Sequence, residues 1–200
     1  MRTTPTNKIC IIKPSLLQNR KMKYAFRLFV VVVLTIVANA SFAQEQLTPQ
    51  KKKQLYAEAQ KKAKLLNVYV RDGDDSALYT QYTLDTFTIN EFERRCMDIE
   101  SSTLAMMEIS YDVDSLYDKL LNSYYKKLLN KLTTKDKPVL IEAQKAWLAY
   151  REKELKLLRK LTEDKYSGGG SIQGIIYANN KSNLLRKRVQ ELFDMLAGGM

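Results

Sequence analysis

Apolar residues recur in steps of three and four along most of the chain, with polar residues between them. That period marks helices that each bury one face. The first such face is Leu55, Ala59, Ala63, Leu66 and Val70, after Thr48-Pro49, a cap residue followed by proline at the first helical position. Its other face is lysine. Asp72-Gly73-Asp74-Asp75 ends this helix as a turn; the carboxylates suggest a calcium loop, but the spaced ligand pattern and the closing glutamate are missing. Thr88 and Glu91 fit a capping box ahead of a short helix through Cys96. The threonine- and tyrosine-rich stretch before it, Leu78 to Thr88, is the part the pattern defines least.

A long helix is expected from about Thr103 to Leu132, with Tyr117, Leu121, Tyr124, Leu128 and Leu132 as its core stripe. Lys137-Pro138 opens another, running to about Leu161 and carrying Leu140, Trp147, Leu148, Leu155 and Leu158 inward. Ser167-Gly168-Gly169-Gly170-Ser171 breaks it, because glycine permits backbone that other residues cannot adopt. Ser171 then caps a last helix to Leu196, ahead of Gly198-Gly199. No strand alternation competes. The fold class is all-α, a small antiparallel bundle of about four to five helices.

Composition changes the picture mainly at the N-terminus. Leu28 to Val37 is an apolar run preceded by Lys23 and Arg27, and Ser41-Phe42-Ala43 places small residues where signal peptidase reads them. Residues 1–43 are read as a secretory signal peptide cleaved after Ala43, with Met22 as the start and residues 1–21 as an over-long one. The run is shorter than the roughly 20 residues of a membrane-spanning helix, so no stable membrane insertion is expected. Removing the seven basic residues before position 44 from the 33 in the chain leaves 26 against 22 acidic ones, a net of about +4. With signs interspersed, the mature chain lacks the concentrated basic footprint of a nucleic-acid binder. The expected location is periplasmic or secreted.

Chemistry is sparse. The chain has no histidine, which excludes histidine-based triads and the usual zinc sites. Neighbouring carboxylates such as Asp112 with Asp114 and Glu152 with Glu154 lie two apart and so point to different helix faces. No catalytic residue, metal or cofactor is assigned, and the reading is not an enzyme. Cys10 falls in the removed segment, leaving Cys96 as the one mature thiol; it is buried, reactive, or the link of a Cys96 dimer.

The most distinctive stretch is AQKAWLAYRE, residues 143–152. Gln144, Trp147 and Arg151 share one helix face, with Tyr150 beside them. Such a cluster binds a ligand, anchors a protein partner, or packs. The packing version puts Trp147 in the core and uses Gln144 and Arg151 to bond free backbone in the glycine turn. That turn is likewise an anion cradle at a helix start or simply a tight reversal, and it lacks the spacing and lysine of a phosphate loop.

Taken in order, Asp118-x-x-Leu121-Asn122-x-x-Tyr125, then Ala143-Gln144-x-Ala146-Trp147-Leu148-x-Tyr150-Arg151-Glu152, then Gly169-Gly170-Ser171, then Arg188-x-x-x-Leu192, the chain resembles the LprI-like lysozyme-inhibitor domain family over about residues 96–196. The resemblance implies a small secreted or periplasmic helical domain and, as motif residues with structural or binding roles, Gln144, Trp147, Tyr150, Arg151, Gly169, Gly170, Ser171, Arg188, Asp118, Asn122 and Tyr125. It implies lysozyme or another envelope protein as partner, bound by occlusion. Where the family usually carries further cysteines this chain has Ser110, Leu155 and Asn180, and only Cys96 is kept. Residues 44–95 lie outside the resemblance, as an N-terminal helical extension. The alternative is a binder of anionic envelope polymer or membrane surface through the lysines at 51–53, 61, 62 and 64.

Overall fold

The computed structural model describes residues 46–66 and 76–198. The expected signal segment, Val70, the turn expected at Asp72–Asp75 and Gly199 lie outside them. Six helices follow one another: α1 Pro49–Lys64, α2 Ser76–Ile99, α3 Thr103–Lys131, α4 Lys137–Leu161, the single turn α5 Asp164–Ser167, and α6 Ile172–Leu196. Among the described residues there is no strand, and the all-α expectation holds. No described helix is long and apolar enough to cross a membrane.

Local chemistry sets most ends. The Thr48 hydroxyl accepts from Lys51 N at 3.1 Å to start α1, with Pro49 at the first position. Ser102 caps α3 by accepting from Ala105 N at 3.3 Å. Gly168, Gly169 and Gly170 have φ of 76°, 79° and 92° in succession, a left-handed run that only glycine adopts without strain. The Ser167 hydroxyl braces it, accepting from Gly169 N and donating to the Thr162 and Glu163 carbonyls, all at 3.1 Å. Ser171 does not cap α6: its backbone is already helical and its side chain makes no capping bond.

The capping box at Thr88 and Glu91 is also absent, because α2 is continuous through it. Thr83, Thr86 and Thr88 each return their hydroxyl to the carbonyl four residues back, at 2.7 to 2.9 Å, so a threonine-rich stretch satisfies its own polar groups inside a helix. Tyr79, Tyr82 and Phe193 supply the reason to stay helical: Tyr82 stacks on Phe193 at 4.0 Å between ring centroids, and Tyr79 meets the same ring edge-on at 5.0 Å.

Direction follows from which residues pair. Lys62 with Glu91 and Glu58 with Arg95 make α1 and α2 antiparallel. Asn90 with Tyr117 and Asp85 with Tyr124 do the same for α2 and α3. Asp118 with Arg151 reverses α4 against α3, and Gln144 with Arg188 reverses α6 against α4. The α3–α6 pair is different: Asp114 meets Ser182, Tyr117 meets Arg186 and Tyr124 meets Phe193, so these two run parallel. Successive long helices are antiparallel as expected, and the parallel pair is the axis of the bundle. One core joins all of it, with Ile109, Val113, Tyr124, Val189, Leu192 and Cys96 fully buried and Leu55, Ala59, Ile89 and Phe92 closing it from α1 and α2.

Candidate functional site

The motif residues separate into three places. The first is a buried lock between α4 and α6. Gln144 Oε1 accepts from Arg188 Nε at 3.1 Å and from Nη2 at 3.0 Å, and Glu191 takes Nη1 at 2.9 Å. Gln144 and Arg188 are both buried, so three charge-assisted bonds offset much of the cost of desolvating the guanidinium. Trp147 lies half-buried against the core with cations on it, Arg188 at 5.6 Å and Arg151 at 5.1 Å from its ring. The bonds from Gln144 and Arg151 to the glycine turn, expected from sequence, are not made: Gln144 is committed to Arg188, while Arg151 lies over Trp147 toward α3.

The second place is the surface above that lock. Arg151 Nη1 reaches Asp118 Oδ1 at 3.6 Å, and Asn122 Nδ2 donates to the Asp118 carbonyl at 2.8 Å, orienting the first turn of a groove between α3 and α4. The groove holds about 420 Å³ and is lined by Asp118, Asn122, Tyr125, Gln144, Lys145 and Arg151 over an apolar floor of Leu121, Ile141 and Leu148. Seven of the eleven motif residues are in the lock or on this groove's walls: Asp118, Asn122, Tyr125, Gln144 and Arg151 together with Trp147 and Arg188. Leu148, expected inward, is 42% exposed and lies in the groove floor instead, because the core-facing arc of α4 is occupied by Leu140, Gln144 and Trp147.

A neighbouring groove of about 330 Å³ shares the Asp118–Arg151 pair and continues between α3, α4 and α6 past Tyr111, Asp114 and Lys181. Asp114 is buried; Ser182 donates to its Oδ1, and the Lys181 ammonium faces Oδ2 at 2.9 Å without an aligned hydrogen bond. Sequence reasoning named Asp114 only as one of a pair of neighbouring carboxylates, without this setting, and missed Lys181 and Glu191. Glu191 had a signal, three residues after Arg188 on one helix face; Asp114 and Lys181 had none, since only the parallel α3–α6 packing brings them together.

The third place is the glycine turn, where Gly169, Gly170 and Ser171 sit apart from the lock. A Cβ on Gly169 would meet the Asp164 carboxylate at 3.0 Å, which argues for a tight reversal closed by an acid. Tyr150 joins none of these: it is exposed on the opposite flank of α4.

Two features outside the motif bear on chemistry. Burial pushes the Cys96 thiol up to about 11, and the sulfur is fully enclosed, so linkage through it requires the bundle to open. Hydrogen bonding from Arg94 first, then from Lys62 and Arg95, holds the buried Glu91 carboxyl down at about 2. Among the described residues, no group of three or more acidic or cysteine side chains is placed to hold a metal.

Residues 96–192 match the family model described as lysozyme inhibitor LprI. That span contains every motif residue named above. No curated protein and no solved structure matches the chain.

Proposed function

We propose, from the premise that residues 96–192 are an LprI-type lysozyme-inhibitor domain, that this chain is a non-enzymatic module of the periplasm or cell exterior that occludes a protein partner of the lysozyme class. The observation that carries the reading is the division of labour within one motif. Gln144, Trp147 and Arg188 are spent on the interior, while Asp118, Asn122 and Arg151 reach the surface around a groove with an apolar floor. An apolar floor with a few fixed polar groups on its rim suits the side chain of a protein partner. The Asp118–Arg151 pair, half-exposed and loose at 3.6 Å, gives up little when a partner replaces one member.

The lysine face of α1 is smaller than the sequence count suggests. Lys52 is paired with Asp112 at 2.7 Å and Lys62 with Glu91 at 2.9 Å, which leaves Lys53, Lys61 and Lys64 as exposed cations along that helix. Occlusion of a protein is therefore the reading favoured over capture of an anionic polymer.

The test is titration of residues 44–200 into activity assays of several lysozyme types at low and physiological salt. Saturable inhibition that survives physiological salt is expected, because a packed interface is screened far less than a lysine-driven contact. Asp118→Lys should weaken it about tenfold or more while leaving the thermal transition nearly unchanged, since Asp118 is exposed. No inhibition of any type, or inhibition indifferent to Asp118 and Arg151, would reject lysozyme occlusion at this groove.

A further inference from the structure

Helix α4 carries a second apolar stripe that the bundle does not use. Leu140, Gln144 and Trp147 face the core, and the groove residues flank them on one side. On the other flank, about a quarter turn away, lie Val139, Ala143, Ala146, Tyr150, Leu157 and Leu161. All are exposed, the four large ones at 72%, 52%, 52% and 49%. Their spacing of four, three and four, resumed through Lys153 to Leu157, is the alternation of a two-helix seam. A solvated helix face has no reason to keep that register over about 33 Å.

We propose that this stripe is a self-association surface, on which α4 of a second copy of this chain lies antiparallel. The size pattern fits that occupant. Placing Ala146 opposite Tyr150 of the partner subunit brings Ala143 opposite the Lys153 stem and Val139 opposite Leu157, so these three large side chains each meet a smaller one, while Leu161 lies just beyond the start of the facing helix. The charges fit the same register. Glu142 and Lys156 flank the stripe on one edge, and the antiparallel arrangement sets Glu142 of each copy beside the Lys156 of the other, twice per dimer. A parallel arrangement would not bring them together. In the single chain both are committed only to exposed neighbours on their own helix, Glu142 to Lys145 at 2.9 Å and Lys156 to Glu152 at 2.8 Å, contacts that exchange at little cost. The seam is on the opposite flank of α4 from the groove, so pairing would leave both grooves of the dimer open.

One short seam supports a weak dimer, seen by sedimentation velocity of residues 44–200 from micromolar to near-millimolar concentration. A concentration-dependent shift to dimer is expected. Glu142→Lys should raise the dissociation constant roughly tenfold by opposing two lysine pairs, and adding Lys156→Glu should restore it. Tyr150→Glu should give monomer throughout, with unchanged far-ultraviolet circular dichroism showing that the fold is intact. A chain monomeric at every concentration overturns the proposal. So does a dimer indifferent to Glu142→Lys, or one that the double exchange fails to restore.

Discussion

At the scale of single residues, the buried Arg188 carries the largest uncompensated risk. Its guanidinium depends on Gln144 for two of its three bonds. Gln144→Leu keeps the volume and removes the acceptor, so it should cost about 1 to 3 kcal/mol in chemical denaturation. Trp147→Ala should cost about 2 to 3 kcal/mol, below the roughly 3 to 5 of a fully buried ring, because the indole is only half-buried. Part of the loss would come from the two stacked cations. Cys96, enclosed and with its thiol pushed up to about 11, should resist thiol reagents in the native protein and react on unfolding. A stoichiometric reaction in native buffer would contradict the enclosed position. The residue types at these positions were legible in the sequence, and so was the shared face of Gln144, Trp147 and Arg151. Their partners were not, because hydrogen-bond partners 44 positions apart are selected by packing.

At the scale of elements, the junction of α1 with α2 rests on small residues and one acid. Ala59 and Ala63 are buried and let the helices approach, Tyr56 meets Phe92 edge-on at 5.7 Å, and Glu91 gathers Lys62, Arg94 and Arg95. The Glu91 carboxyl sits lower in the folded chain than its ordinary value of 4.5, so its stabilising effect is complete above that pH and is lost as pH falls from about 4.5 through about 2. Glu91→Gln should flatten the acid limb of stability against pH and lower the midpoint at neutral pH; an unchanged acid limb would show that other carboxylates govern it. The register of α2 on α3, set by Asn90 with Tyr117, brings Cys96 level with Ser110, a buried serine. Ser110→Cys should therefore form a disulfide with Cys96 under oxidising conditions. Closing a loop of about 15 residues should add about 3 kcal/mol, read as the difference between oxidised and reduced denaturation curves. The extents of α3 and α4 were legible from their periods and prolines. That of α2 was not, because threonines read locally as caps and turns yet satisfy themselves in a helix once their neighbours have a core to enter.

At the scale of the whole molecule, every long helix runs opposite to the one before it, and the bundle closes around a parallel α3–α6 pair. Close approach of that pair is visible at Gly174, where an added Cβ would lie 2.7 Å from Met107 Sδ. Because the atoms met are the far end of the flexible Met107 side chain, which can move aside, Gly174→Ala should hold the thermal midpoint near the parent's, whereas a loss of about 1 to 3 kcal/mol would show overpacking that Met107 does not relieve. The sequence by itself determined the all-α class and the extents of the last three long helices, because helical period, proline and glycine act over a few residues; the four to five helices it led us to expect became six through the single turn α5. It also carried the motif by which residues 96–192 resemble a known family. Only the tertiary structure decided that Gln144 serves Arg188, that Asp118 and Arg151 share a groove rim, and that α3 lies parallel to α6. Those outcomes depend on which faces meet across the bundle, and periodicity identifies an apolar face without naming what will cover it.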